Sequence, residues 1–186
     1  MSYHIHKVMS ENKHKGWHSR GYLPHCDEPF RIQAITFHLA DSLPGEVLRK
    51  LKQDFPKGHE LDKRKRIEEY LNNGYGDCHF SDVRIAEVVE ETLLKFDSDR
   101  YRLIAWVIMP NHVHVIIEII EGSTLGKILH SWKSYTASEA NKILRRKGIF
   151  WHPDYFDRFI RDEKHLETAV HYIHWNPVKA GLAEAP

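Results

Sequence analysis

The stretch Trp106–Ile120, WVIMPNHVHVIIEII, constrains the fold more than any other. Two runs rich in β-branched and aromatic residues, 101–109 and 112–119, meet at Pro110-Asn111. Proline and asparagine favour turns, and so short a link between strands predicts an antiparallel hairpin. Side chains alternate along a strand. Val113, Val115, Ile117 and Ile119 therefore share one face, suited to a core beneath packed helices. His112, His114, Ile116 and Glu118 share the other, which offers two imidazoles and a carboxylate in a row. Two histidines do not complete a metal shell, so further donors have to come from elsewhere.

The pattern around the hairpin is mixed. FRIQAITFHLA (30–40) reads as a strand, and a helix follows with Ser42 as its expected cap and Pro44 in its first turn. Helical patterns recur at about 60–72 and 81–97, the second capped by Ser81. Residues 124–148 read as a helix ending at Gly148, and YFDRFI (155–160) as a short strand. Asp162 opens a last helix over 163–175. Asn176-Pro177 is expected to stop it, because the residue before proline is pushed out of the helical region. Residues 1–29 read as irregular. This order predicts a single α+β domain over 1–186, an antiparallel sheet with packed helices.

Composition sets few limits. Apolar residues, 41% of the chain, suffice for a core, and no run of 18 apolar residues predicts a membrane span. Two cysteines, Cys26 and Cys78, are too few for a disulfide framework, and the polar N-terminus lacks a signal peptide's apolar stretch. A reducing cytoplasm is the expected location. The net charge of +1 points to no acidic partner. Its distribution is more informative: Lys127, Lys133, Lys142, Arg145, Arg146 and Lys147 stand against a single acid, Glu139. Such a basic stripe can follow a phosphate backbone or form a solvated helix face. Trp132, Trp151 and Trp175 suit either stacking on unpaired bases or core packing.

In the last helix, Leu166, Ala169, Val170 and Ile173 form the core stripe. At about 100° per residue, Tyr172 lies beside that stripe, and Asn176 sits one turn above it. A phenol, able to act as a nucleophile, and an amide oxygen, able to bind a hard cation, share one edge of the helix.

The segments MPNHVHVIIE and FWHPDYFDRFIRDEKHLETAVHYIHWNPVKAGL together resemble the single-tyrosine HUH transposases, most closely the REP-associated tyrosine transposases. The specific parts are Pro110 to His114 and the YIxxNPVKAG ending, Tyr172 to Gly181. The resemblance implies a ferredoxin-like or RRM-like sheet with the histidines on a central strand. It implies that His112, His114 and Asn176 bind Mg²⁺ or Mn²⁺, and that Tyr172 attacks a phosphate of single-stranded, hairpin-forming DNA. It also implies a monomer or a homodimer. Relatives from insertion sequences often carry Gln where Asn176 stands. Residues 57–78 exceed what a minimal member needs and read as a helical insertion. Two other readings stay open: a zinc protein using His112, His114 and Cys78 or His79, and a nucleic-acid-binding module without catalysis.

Overall fold

The computed structural model describes residues 16–19, 24–55 and 60–186. A small antiparallel pair, β1 (Gly16–Ser19) and β2 (Pro24–Asp27), precedes the main fold. The main sheet contains β3 (Ile32–His38), β4 (Tyr101–Met109), β5 (His112–Ile119) and β6 (Phe156–Phe159), in the order β4-β5-β3-β6 and wholly antiparallel. The helices are α1 (Gly45–Asp54), α2 (Glu60–Asn72), α3 (Val83–Lys95), α4 (Leu125–Ile143) and α5 (Glu163–Lys179), with a 3₁₀ turn at His79–Ser81. This is the α+β architecture expected from the sequence, and the β4–β5 hairpin turns at Pro110-Asn111 as predicted.

The sheet separates two packed layers. Ile35, Phe37, Val113, Val115, Ile117 and Ile119 point to α3 and α4. Those helices return Ile85, Val89 and Leu93, and Leu125, Ile128, Leu129 and Trp132, at helical spacing. The opposite face carries Ala34, Ala105 and Ile116 and receives the predicted α5 stripe of Leu166, Ala169, Val170 and Ile173. A third apolar cluster joins α1 and α2 to Phe156 on β6, through Leu51, Ile67 and Leu71. Among the described residues, no helix is long and apolar enough to cross a membrane.

Several expected boundaries differ. Residues 16–19 and 24–27 form strands rather than irregular chain; residues 1–15 and 20–23 of that expectation lie outside the described residues. Ser42 does not cap α1. It is buried, and its hydroxyl lies 2.8 Å from the Leu39 carbonyl and 2.7 Å from His38 Nδ1. Asp82, not Ser81, caps α3 by accepting from the Arg84 amide. The α4 helix ends at Ile143, and the chain leaves it through Arg145 at φ +51°.

The largest difference is at Pro177, which lies inside α5 instead of ending it. Proline removes one N–H donor but already has a helical φ. The amides of Ala180, Gly181 and Leu182 donate to the carbonyls of Asn176, Val178 and Pro177 and hold the last turn. Asn176 thus sits within the helix and is buried at 1% exposure.

Candidate active site

Strand alternation puts His112 and His114 on the α5 face of the sheet, and β5 is central, bonded to β3 and β4. Both side chains are buried, and their Nε2 atoms stand 3.0 Å apart. Their Nδ1 atoms are engaged elsewhere. His112 Nδ1 lies 2.7 Å from Asn111 Oδ1, and His114 Nδ1 lies 2.8 Å from Thr36 Oγ1. The Asn111 amide nitrogen donates to the Tyr75 carbonyl, so its oxygen must face His112. His112 therefore carries its proton on Nδ1 and presents a bare Nε2 lone pair. The Thr36 hydroxyl can donate or accept, so His114 can adopt either tautomer.

Burial, and then the neighbouring His114, holds the His112 pKa well below the ordinary range. Burial, and then Arg64, lowers His114 to about 3. His38, beside them on β3, is lowered to about 3 by burial and by His152. All three are neutral at neutral pH. The unfolded chain takes up protons below about pH 6.5 while the folded chain does not. Their contribution to stability is complete above that pH and is lost as pH falls toward 3. Stability should fall on the order of 2 kcal/mol per histidine, for His38 and His114, by pH 5. Urea unfolding at pH 7 and pH 5 measures this; equal free energies would contradict it.

Tyr172 meets the His114 ring edge-on, with centroids 5.4 Å apart. Its hydroxyl is sealed from solvent with no partner in hydrogen-bonding geometry. Burial, and then the Glu68 carboxylate, pushes its pKa up to about 12, against the smaller pull of the Asn176 and Asn72 amides. One turn on, both amide atoms of Asn176 are buried without a partner. These groups fit a divalent cation. Two adjacent ligands of an octahedral ion at about 2.1 Å are roughly 3.0 Å apart, the spacing of the two Nε2 atoms. The orphaned Asn176 oxygen is a suitable third donor. Among the described residues no three His, Cys, Asp or Glu converge. Cys78 donates instead to the Gly74 carbonyl, and His79 stacks on Phe150. Glu118, on the histidine face, pairs with Arg102.

The basic stripe is not brought to this site. It runs along α4, on the far side of the sheet. Lys142, Arg145, Arg146 and Lys147 gather at a groove near the end of that helix, and Lys127 is exposed farther back. Lys133 turns inward to the carbonyls of His152 and Asp154. Trp132 and Trp151 are core residues, whose indoles donate to Tyr101 and Thr136. Only Trp175 of the three tryptophans is exposed, and it stacks on His171. Tyr135, on α4, is half exposed beside Lys95.

Sequence reasoning missed Asn111, Thr36, Arg64, Glu68 and Arg158. Thr36, Arg64, Glu68 and Arg158 line a cavity of about 280 Å³ that also contains His114 and Tyr172. The signal for α2 was available: Arg64, Glu68 and Asn72 are spaced by four and make a polar edge beside Ile67 and Leu71.

Comparison with known proteins finds a family and several relatives. The family described as "Transposase IS200 like" matches residues 78–176, more than half of the chain. A REP-associated tyrosine transposase of Escherichia coli is 29% identical over 51% of this chain and 56% of its own. An uncharacterised protein of Haemophilus influenzae is 34% identical over 41% of this chain and 54% of its own. The chain thus spans about half the length of these curated relatives. A solved structure of a REP-associated tyrosine transposase bound to a REP hairpin shares the fold. Its TM-score is 0.54 at 18% identity, with 86% of this chain and 74% of that one covered. With more than half of its length matched by the family, the chain belongs to the IS200-like transposases.

Proposed function

We propose that this chain cuts and rejoins single-stranded, hairpin-forming repeat DNA through a covalent link to Tyr172. The observation that carries the reading is the convergence of the two histidine Nε2 atoms beside the Tyr172 ring, with the unpartnered Asn176 one turn away. His112, His114 and Asn176 would hold Mg²⁺ or Mn²⁺, which supplies Lewis-acid polarisation of a phosphate oxygen. The Tyr172 oxygen attacks phosphorus, the bond to the 3′ oxygen breaks, and a free 3′ end leaves. The 5′-phosphotyrosine bond keeps the energy for rejoining. His114 and the α5 backbone orient the phenol, and burial excludes water that would otherwise compete for the phosphate. The REP hairpin held by the fold relative supports a hairpin as substrate.

The test is incubation with hairpin DNA carrying single-stranded flanks, with Mn²⁺, followed by denaturing electrophoresis. A covalent adduct is expected, and its absence across a panel of repeat hairpins refutes the reading. The covered Tyr172 hydroxyl favours a second reading, a binding module without catalysis. That reading requires hairpin binding with no adduct.

The α4 stripe serves binding rather than chemistry on this reading. Replacing Arg145, Arg146 and Lys147 by Gln should weaken hairpin binding and make its dependence on salt shallower, by about 0.7 in log–log slope for each phosphate no longer engaged. Single-turnover cleavage of saturated complexes should stay unchanged, because the stripe lies across the sheet from Tyr172. A large drop in that rate would place the stripe in the reaction.

A further inference from the structure

The basic groups beside Tyr172 are not on α4: Lys179 of α5 lies over its ring, and two arginines share its cavity. Arg158, on β6, points from the same sheet face as His114, and pairs in register with Ala34. Arg64 comes from α2, which lies outside the residues matched by the family. Both line the cavity with Tyr172 and His114. Arg64 is about three-quarters buried, and its ion-pair partner Glu68 stands at 3.8 Å, too far for a hydrogen bond. A guanidinium has five donors in a planar fork, and withdrawing them from water without acceptors is costly. Among the described residues, Glu68 is the one acid lining the cavity, against Arg64, Lys65 and Arg158. The lining itself therefore carries a surplus of positive charge, with Asp157 acting on Arg64 from outside it. Three further polar groups end here or next to it without a partner: the Tyr172 hydroxyl, the Asn72 oxygen and the Asn176 amide.

We infer that this cavity is a phosphate-binding subsite, in which Arg64 and Arg158 seat a phosphate of the DNA strand beside Tyr172. The inference rests on the reading of the chain as a DNA-cutting enzyme, and it gives α2 a share in gripping the substrate. The guanidinium fork matches two phosphate oxygens, and a phosphate supplies the acceptors that Glu68 at 3.8 Å does not. Burial raises the Glu68 pKa against the opposing pull of Arg64 and Arg158.

The probe is fluorescein-labelled oligo(dT) of 20 nucleotides, with full-length protein carrying Tyr172→Phe to prevent cleavage. Arg64→Met and Arg158→Met should each lower affinity about fivefold to tenfold and reduce the salt slope by about 0.7, the value of one phosphate. Arg64→Lys should recover the slope but only part of the affinity, because it keeps the charge and loses the fork. In ¹⁵N spectra of the parent protein, the Arg64 Nε resonance should shift with oligo(dT). It should not shift with a thymine peptide nucleic acid, which lacks phosphates. This second measurement decides the matter even if Arg64→Met does not fold. An unmoved Arg64 resonance at saturating oligo(dT), or wild-type affinity and slope in Arg64→Met, overturns the subsite. The adduct assay reports separately on the chemistry. An adduct with a silent Arg64 removes the subsite alone. A responsive Arg64 in a protein that forms no adduct removes the chemistry and keeps a phosphate-binding cavity.

Discussion

Tyr172→Phe should abolish the covalent protein–DNA adduct, a loss of more than about 10³-fold, without destabilising the protein. The two halves of this expectation come from the same atom. The phenol oxygen is the proposed nucleophile, and nothing else in Phe can form the ester. That oxygen is also buried without a partner. Removing such a group relieves a desolvation cost of roughly 1–3 kcal/mol, so the unfolding temperature should hold or rise. Ring contacts with His114 and Lys179 remain available to Phe. Tyr135→Phe should still form the adduct, since Tyr135 lies on the other layer. Peptide mapping of the wild-type adduct checks the assignment, and DNA on the Tyr135 peptide would reverse it.

His112→Ala should reduce adduct formation by about 10²–10³-fold or more. It should also remove the response of the folded protein to metal. In the wild type, Mn²⁺ at 100 times its dissociation constant should raise the unfolding free energy by about 2.7 kcal/mol; the variant should show almost none of this. The substitution strands the Asn111 oxygen in the interior, which costs roughly 1–3 kcal/mol. Circular dichroism at low temperature must therefore accompany the assay. A folded His112→Ala protein that still gains stability from Mn²⁺ would exclude His112 as a ligand.

What could be read from the sequence was whatever depends on neighbours along the chain. The β4–β5 hairpin, its two faces and the apolar stripe of α5 follow from periods of two and of 3.6, and all three stand in the structure. The pairing of Tyr172 with Asn176 needed only one helical turn. The stop expected at Pro177 failed because three amides beyond it hold the final turn. Ser42 and Ser81 are good caps by type, but His38 and the Leu39 carbonyl engage the first, and Asp82 lies better placed than the second. The basic stripe was legible as a charge pattern. Its position on the far layer was not, because the choice of layer depends on which apolar side of α4 meets the sheet. The place of Arg64 in the cavity was hidden for the same reason: its neighbours on α5 and β6 are about a hundred residues away in sequence.

The place of β5 in the sheet has a consequence for exchange kinetics. Its amides are bonded to β3 on one side and β4 on the other, whereas α5 and α2 are held mainly by side-chain contacts. Opening of α2 or α5 need not break the ladder that carries the imidazoles. In native-state deuterium exchange, residues 112–119 should be among the slowest, reporting global unfolding, while α2 should exchange through smaller local openings. The donor pair then stays set while its helical cover breathes, and the two halves of the site belong to different cooperative units.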